Sequence, residues 1–300
     1  MTKPIIAVVG GGLMGHGIAW LFAASGHPVR IFEPTEAVRA GLPDRLGCIA
    51  DLVGRDHGVL DAIAIHDRLA PAAAGSAVVF EAAPEKLDLK RALFAELEAV
   101  VAPETILASN SSAIPSTEIG RHLRHRDRVV GTHFWNPPHL VPLVEVIQTE
   151  WTSDATVATT MAVLRDVGKQ PVHVRRDIPG FIGNRLQHAL KREAIALLAA
   201  GVADAATIDM VVKSGFGARL AVLGPLEQSD LVGLDLTLDI QETLVPHLDR
   251  SAAASDFLRR KVAEGKLGMK TGEGFRRWTP EEAEAVRERL NRTLVGPRER

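Results

Sequence analysis

The sequence predicts an α/β protein: a doubly wound, mostly parallel N-terminal sheet with helices on both faces, followed by an all-α C-terminal domain. Short apolar runs alternate with helix-patterned stretches through the first part of the chain, and from residue 181 onward the patterns are helical only. The composition agrees, since 300 residues, 46% of them hydrophobic and 24% charged, suit about two ordinary globular domains. The boundary is placed at 1–180 and 181–300.

Pro4–Val9 is a continuous apolar run that ends in glycines, which marks a buried first strand. Leu13–Ser25 has helical composition closed by Gly26, and Val29–Phe32 is the next strand. After a helical stretch come three more short runs, Ala77–Phe80, Thr105–Ala108 and Arg128–Gly131, separated by helical patterns such as Leu87–Val101. Leu143–Ile147, a helix near Asp154–Val167 and the run Pro171–Val174 extend the same half. A Pro179-Gly180 turn then precedes the long Ala-, Leu- and Arg-rich segment Phe181–Ala200. The last twenty residues, with Glu281, Glu282, Glu284 and Glu288 beside Arg287 and Arg289, read as a solvated terminal helix. There is no internal repeat.

Charge and composition exclude several function classes. Lys plus Arg is 35 against 37 Asp plus Glu, a net charge of −2, which offers nothing to a nucleic-acid partner. Aromatics are only 4% with no Tyr, so stacking platforms for single strands are scarce. The single cysteine, Cys48, rules out an intrachain disulfide and a zinc site built on thiolates, and no metal is expected. The apolar stretch before Gly10 is too short for a secretory core, and no apolar run approaches the roughly 20 residues of a membrane span. The expectation is a cytoplasmic protein with no membrane partner.

Gly10, Gly12 and Gly15 occupy the three positions of a G-x-G-x-x-G loop between a strand and a helix. The first glycine permits the tight turn, the second lets a pyrophosphate approach the backbone, and the third allows helix and strand to pack closely. The backbone of Gly10, Gly11, Gly12, Leu13, Met14 and Gly15, with the helix N-terminus, is therefore the candidate dinucleotide cradle. Glu33 follows the last glycine at a distance suited to accept hydrogen bonds from adenosine ribose hydroxyls and to repel a 2′-phosphate, so NAD is preferred over NADP, with Arg30 nearby as the opposing feature. No Lys-Ser or Lys-Thr follows the glycines, which excludes P-loop chemistry.

Asn110-Ser111-Ser112 and Gly131-Thr132-His133-Phe134-Trp135-Asn136-Pro137 each follow a predicted strand, at the carboxyl ends where open α/β sheets bind ligands. Glu145 is a lone carboxylate inside the apolar run Leu143–Ile147, where it needs a partner, and His133 is the natural one. Such a pair suits alcohol oxidation: the imidazole takes the hydroxyl proton as hydride leaves the carbinol carbon, and the carboxylate fixes the tautomer and stabilises the imidazolium. By spacing alone, a structural His and a separate structural Glu fit as well.

Seven motifs in order, Gly10–Gly17, Asn110–Ser112, Gly131–Pro137, Leu143–Ile147, Pro179–Arg185, Gly224–Glu227 and Lys270–Phe275, resemble the 3-hydroxyacyl-CoA dehydrogenase family over nearly the whole chain. The resemblance implies a Rossmann-type NAD domain, a helical domain that dimerises to a homodimer, and an active site in the cleft between them. It implies His133 as base, Glu145 as its partner, and Ser112 and Asn184 as hydrogen-bonding groups at the substrate oxygen. It further implies Asn136 near the nicotinamide, Glu85 and Lys90 beside the cofactor, and Lys270 at the edge of the cofactor site; solvated lysines are the alternative for the last two. Gly183 stands where a larger apolar residue is common in the family.

Members that take acyl-CoA usually carry a Lys-rich helical extension after the second strand. Here no Lys lies between Lys3 and Lys86, and in residues 34–70 six acids outnumber four arginines, so a polyanion gains little. The segments Asn136–Glu145, with Pro142 where acyl-CoA enzymes have Lys, and Gly215–Ala221 resemble the branch acting on free hydroxy acids, the L-gulonate 3-dehydrogenase (lambda-crystallin) and L-carnitine dehydrogenase group. Arg219 is the candidate for holding a substrate carboxylate in a bidentate pair, with a surface or interface arginine as the alternative. The leading expectation is oxidation of a small free 3-hydroxy acid. An acyl-CoA thioester is the second reading, and a catalytically weak, crystallin-like or NAD-binding protein is the third.

Overall fold

The computed structural model describes residues 3–296. The outermost residues of the two expected domains, 1–2 and 297–300, lie outside that range, as does the end of the expected terminal helix. The chain forms two compact units. The first runs to Asn184 and takes the chain back from Leu294, and the second is Arg185–Thr293.

The first unit is built on one eight-stranded sheet: β1 (Ile6–Val9), β2 (Val29–Phe32), β3 (Ile63–His66), β4 (Val78–Glu81), β5 (Ile106–Ser109), β6 (Val129–Phe134), β7 (Leu143–Ile147) and β8 (Gln170–Val174), in spatial order 3-2-1-4-5-6-7-8. The direction of winding reverses between β1 and β4, the switch point at which ligands of such sheets bind. All pairings are parallel except β6 with β7. Strand alternation divides the core in two. Ile6 and Val8 of β1 pack with the helices Gly15–Ala24, Leu42–Val53 and Asp154–Asp166, whereas Ala7 and Val9 pack with Leu69–Ala73 and Leu87–Val100. Burial on both faces explains why these strands read as unbroken apolar runs.

Two sequence expectations need correction. The stretch between β2 and β4 was expected to be helical, but it contains β3, an edge strand of four residues whose pattern is too short to outweigh its helical flanks. The first helix starts at Gly15 rather than Leu13, because Gly10 to Met14 are spent on the loop. The second unit is helical, as expected, with Gly183–Ala199 leading into it and Ala205–Ser214, Pro225–Val232, Leu234–Leu244, Asp256–Ala263 and Pro280–Val295 following; two isolated bridges, Gly268 with Glu273 and Glu273 with Arg277, lie in the connection before the last of these helices.

Candidate active site

The glycine loop is shaped by overlap. Gly10 has φ +100°, and a Cβ there would lie 2.8 Å from the Ala82 carbonyl oxygen, while a Cβ on Gly15 would overlap the carbonyl oxygen of Gly10. Gly12 is different: nothing lies within 4 Å of where its Cβ would be, which leaves open space for a pyrophosphate against the backbone. No side chain caps the helix Gly15–Ala24; the His16 and Ile18 N–H groups donate to the Gly12 and Met14 carbonyls, and the Gly15 N–H at its start is open to an anion. Leu13 is exposed and Met14 half-buried beside this opening.

Three side chains freeze the loop. The Gly11 N–H donates to Glu33 Oε2 at 2.8 Å, Arg45 Nη1 donates to the Gly11 carbonyl at 3.1 Å, and His16 Nδ1–H donates to the Gly12 carbonyl at 2.6 Å. The Gly10 N–H donates to the Phe32 carbonyl and the Gly11 N–H to Glu33, so with both carbonyls tied it is the N–H groups of Gly12, Leu13 and Met14 that are left for the ligand. Burial lowers the His16 pKa, which keeps that ring neutral in its donor role. Glu33 lies one residue past β2 and is buried, and its Oε1 accepts from the Thr35 N–H at 2.9 Å. Arg30 bonds to the carbonyls of Pro71 and Ala74, so it does not stand against Glu33.

Lys90 is buried, which corrects the solvated-lysine alternative for that residue. Its ammonium donates to Glu81 Oε1 at 2.7 Å and to the Ala83 carbonyl at 3.2 Å, and lies 3.5 Å from Glu85 Oε2. Glu85 Oε1 in turn accepts from Ser111 Oγ and from the backbone N–H groups of Ser112, Ala113 and Ile114. Burial works to raise the Glu85 pKa, but the Ser111 and backbone bonds, with Lys90, hold it below the usual carboxylate range. Glu81 was missed in the sequence. The signal was there, because a carboxylate ending the apolar run Val78–Glu81 needs a partner just as Glu145 does.

His133 and Glu145 face one another across the antiparallel β6–β7 pair. Both are buried, and His133 Nδ1 lies 2.8 Å from Glu145 Oε2. A carboxylate can only accept, so Nδ1 carries the proton and Nε2 presents a lone pair. Glu145 Oε1 accepts from the N–H groups of Ile182 and Gly183, at 2.9 and 3.0 Å, where the helix Gly183–Ala199 begins. Burial works to raise the Glu145 pKa, but the His133 bond and the two N–H donors outweigh it and hold the carboxyl low. Phe181 and Trp135 flank the imidazole, with ring centroids 5.5 and 5.4 Å away.

Ser112 and Asn184 come together, with Asn184 Nδ2 donating to the Ser112 carbonyl at 3.0 Å. Asn136 is exposed just beyond β6, and neighbouring Asn110 accepts from the Phe134 N–H through Oδ1 at 2.9 Å. Arg219 and Lys270 belong to the second unit. Arg219 is exposed directly after the turn Phe216–Ala218, and Lys270 lines a cavity of about 510 Å³ with Lys261, Lys266, Phe275, Arg276 and Trp278. Among the described residues no cluster of His, Cys, Asp and Glu could hold a metal, and no helix is long and apolar enough to cross a membrane.

Comparisons with known proteins show the family. Residues 5–178 match the 3-hydroxyacyl-CoA dehydrogenase NAD-binding domain, and residues 180–278 match the C-terminal domain of the same family. A 5-formyl-3-hydroxy-2-methylpyridine 4-carboxylate 5-dehydrogenase from Mesorhizobium japonicum is 33% identical, over 98% of this chain and 96% of its own. The human mitochondrial hydroxyacyl-coenzyme A dehydrogenase is 38% identical, over 90% of each chain. A crystal structure of a 5-formyl-3-hydroxy-2-methylpyridine 4-carboxylic acid 5-dehydrogenase, described as an NAD+-dependent dismutase, superposes with TM-score 0.90 at 32% identity, covering 97% of this chain and 96% of that one. The chain belongs to the 3-hydroxyacyl-CoA dehydrogenase family and is an NAD-dependent dehydrogenase of CH–OH groups.

Proposed function

We propose that the protein oxidises the hydroxyl of a small free carboxylic acid to the oxo product, with His133 as general base. The observation that carries this is the Glu145 carboxylate, bonded on one oxygen to His133 Nδ1 and on the other to the Ile182 and Gly183 N–H groups. That arrangement fixes the imidazole so that Nε2 can take the carbinol proton, and it balances the imidazolium that forms. Ser112 and Asn184 hold the substrate oxygen. The loop Gly10–Gly15 binds the pyrophosphate, Glu33 the adenosine ribose, and Glu85, Lys90, Asn136 and Lys270 complete the cofactor's surroundings. Bound NAD supplies the hydride acceptor.

Two features favour a free acid over a thioester. Residues 34–70 hold no lysine and more acids than arginines, a poor setting for the phosphates of CoA. A structure named for a small pyridine carboxylate superposes over nearly the whole chain at TM-score 0.90. In this reading the chain sits with the free-acid branch of its family, and Arg219 pairs with the substrate carboxylate. Homodimerisation through the helical unit is part of the same proposal. Of its described residues only Gly274 and Ala283 are buried, while Val222, Leu226 and Leu231 are 86%, 80% and 72% exposed, so this apolar surface calls for a cover.

The test is steady-state turnover with NAD of L-3-hydroxy acids and hydroxymethyl-pyridine carboxylates against 3-hydroxybutyryl-CoA. A free acid is expected to give at least tenfold higher kcat/KM. Turnover confined to the thioester overturns the substrate assignment and leaves the base pair standing.

A further inference from the structure

Trp135 has no part in the base pair, yet the site is built around it. It lies two residues beyond His133, and its ring is tilted 56° to the imidazole at 5.4 Å. A Cβ on Gly183 would overlap the six-membered ring of Trp135, so the indole rests against the same turn of backbone whose N–H groups hold Glu145. No residue but glycine lets the indole occupy that place. On another side of the imidazole stands Phe181, whose φ of 49° is uncommon for a bulky residue and is what brings its ring to the base.

The indole Nε1–H is buried and has no acceptor among the described residues. A buried donor left unpaired is costly, and tryptophans in interiors ordinarily find a partner. Such a donor beside a general base fits an acceptor that arrives with the ligand. We propose that Trp135 is the residue that orients the substrate at this base: its Nε1–H donates to a carboxylate or oxo oxygen of the bound acid, and its ring bounds the space beside the imidazole. The inference rests on the proposed oxidation at His133 and narrows it. The indole stands next to the base, so an acceptor for its N–H lies within a few bonds of the carbinol carbon. A compact acid, with carboxylate and hydroxyl on neighbouring or next-neighbouring carbons or on one small ring, meets that requirement. A charged hydrogen bond to such a carboxylate is about twice as strong as one to a neutral thioester carbonyl.

Trp135→Phe keeps a ring and removes the N–H. On whichever substrate the wild-type enzyme turns over, the variant is expected to raise KM at least tenfold, with kcat within threefold and NAD affinity and thermal midpoint unchanged. Gly183→Ala, which displaces the indole, is expected to raise KM similarly in the wild-type background and to add little in the Trp135→Phe background. An unchanged KM in Trp135→Phe overturns the proposal, and so does a fall in thermal midpoint or kcat without a change in KM, which would mark a structural ring. If Trp135→Phe does not fold, the assigned indole N–H resonance of nitrogen-15-labelled wild-type protein gives the answer. Adding the oxo product of the best substrate with NAD, an unreactive pair, shifts that resonance downfield if the N–H donates to the ligand, and no shift at saturation overturns the proposal. Because wild-type turnover identifies the substrate class first, a thioester preference refutes the free-acid assignment separately from these results.

Discussion

Replacing Glu145 by Gln changes one atom's chemistry and leaves the shape of the side chain intact. The carboxylate accepts three hydrogen bonds, one from His133 and two from the backbone of Ile182 and Gly183. An amide has one accepting oxygen, and that oxygen stays with the two buried N–H groups, because orphaning each would cost about 1–3 kcal/mol. The NH2 then faces His133 Nδ1, which must become the acceptor, and the ring proton moves to Nε2, the atom that has to receive the carbinol proton. The same tautomer error in the Asp→Asn variant of a Ser-His-Asp triad lowers kcat about 10⁴-fold. A fall in kcat on the order of 10² to 10⁴ is therefore expected here, or about 3–5 kcal/mol of barrier. NAD affinity is expected to stay at the wild-type value, since the carboxylate has no contact with the glycine loop. The assay is steady-state turnover on the best free acid, with NAD binding followed by calorimetric titration. A kcat within threefold of wild type refutes the argument that Glu145 sets the base. The wild-type pH dependence follows from the low pKa of Glu145. Its stabilising contribution is complete above the ordinary carboxylate value and is lost as pH falls through the lower folded value, so the pair stays intact through the neutral range.

Three other perturbations test the surrounding structure. Gly15→Ala places a methyl on the Gly10 carbonyl and is expected to weaken NAD binding at least tenfold in calorimetric titration; wild-type affinity would show that the loop adapts. Lys90→Met leaves Glu81 buried without its cation and is expected to cost about 3–5 kcal/mol in urea unfolding, whereas a loss below 1 kcal/mol would mean that Ser109 and the Ala83 N–H suffice to hold that carboxylate. Burial, with His16 and Lys169 nearby, lowers the His139 pKa from 6.5 to about 4, so stability is expected to fall by at most about 3 kcal/mol as pH drops from 6.5 to 4. His139→Gln should flatten that part of the urea-unfolding profile, and an unchanged profile would refute the assignment.

The fold was legible wherever burial on both sheet faces forced long apolar runs. β1, β4 and β5 could be read because every residue on them is buried, as in Val78–Glu81, and β2 because Val29 and Ile31 are buried between half-buried neighbours. β3 could not, because only one of its neighbours is a strand and its residues are half-buried or exposed, so its composition is nearly that of a helix flank. The antiparallel turn from β6 to β7 was equally silent. A sequence marks both strands but not their relative direction, and the segment between them has no short hairpin signal.

That direction matters most for the site. Twelve residues of spacing left His133 and Glu145 indistinguishable from two unrelated structural residues, whereas the antiparallel register sets them opposite one another and so makes a pair. The carboxylate in an apolar run was a sound clue because a buried charge must be answered locally, and the same clue applied to Glu81 would have found Lys90 as its partner. The loop clamps His16 and Arg45 left no such mark. Each acts on a backbone carbonyl, and a carbonyl is present at every position, so nothing in the sequence tells which one is bonded. Trp135 and Gly183 show the same limit. The sequence shows an aromatic residue and a glycine 48 positions apart, and only their overlap in space makes one the condition for the other. Residues that meet a chemical demand are thus visible in sequence, and residues that meet a steric one become visible only when the chain is folded.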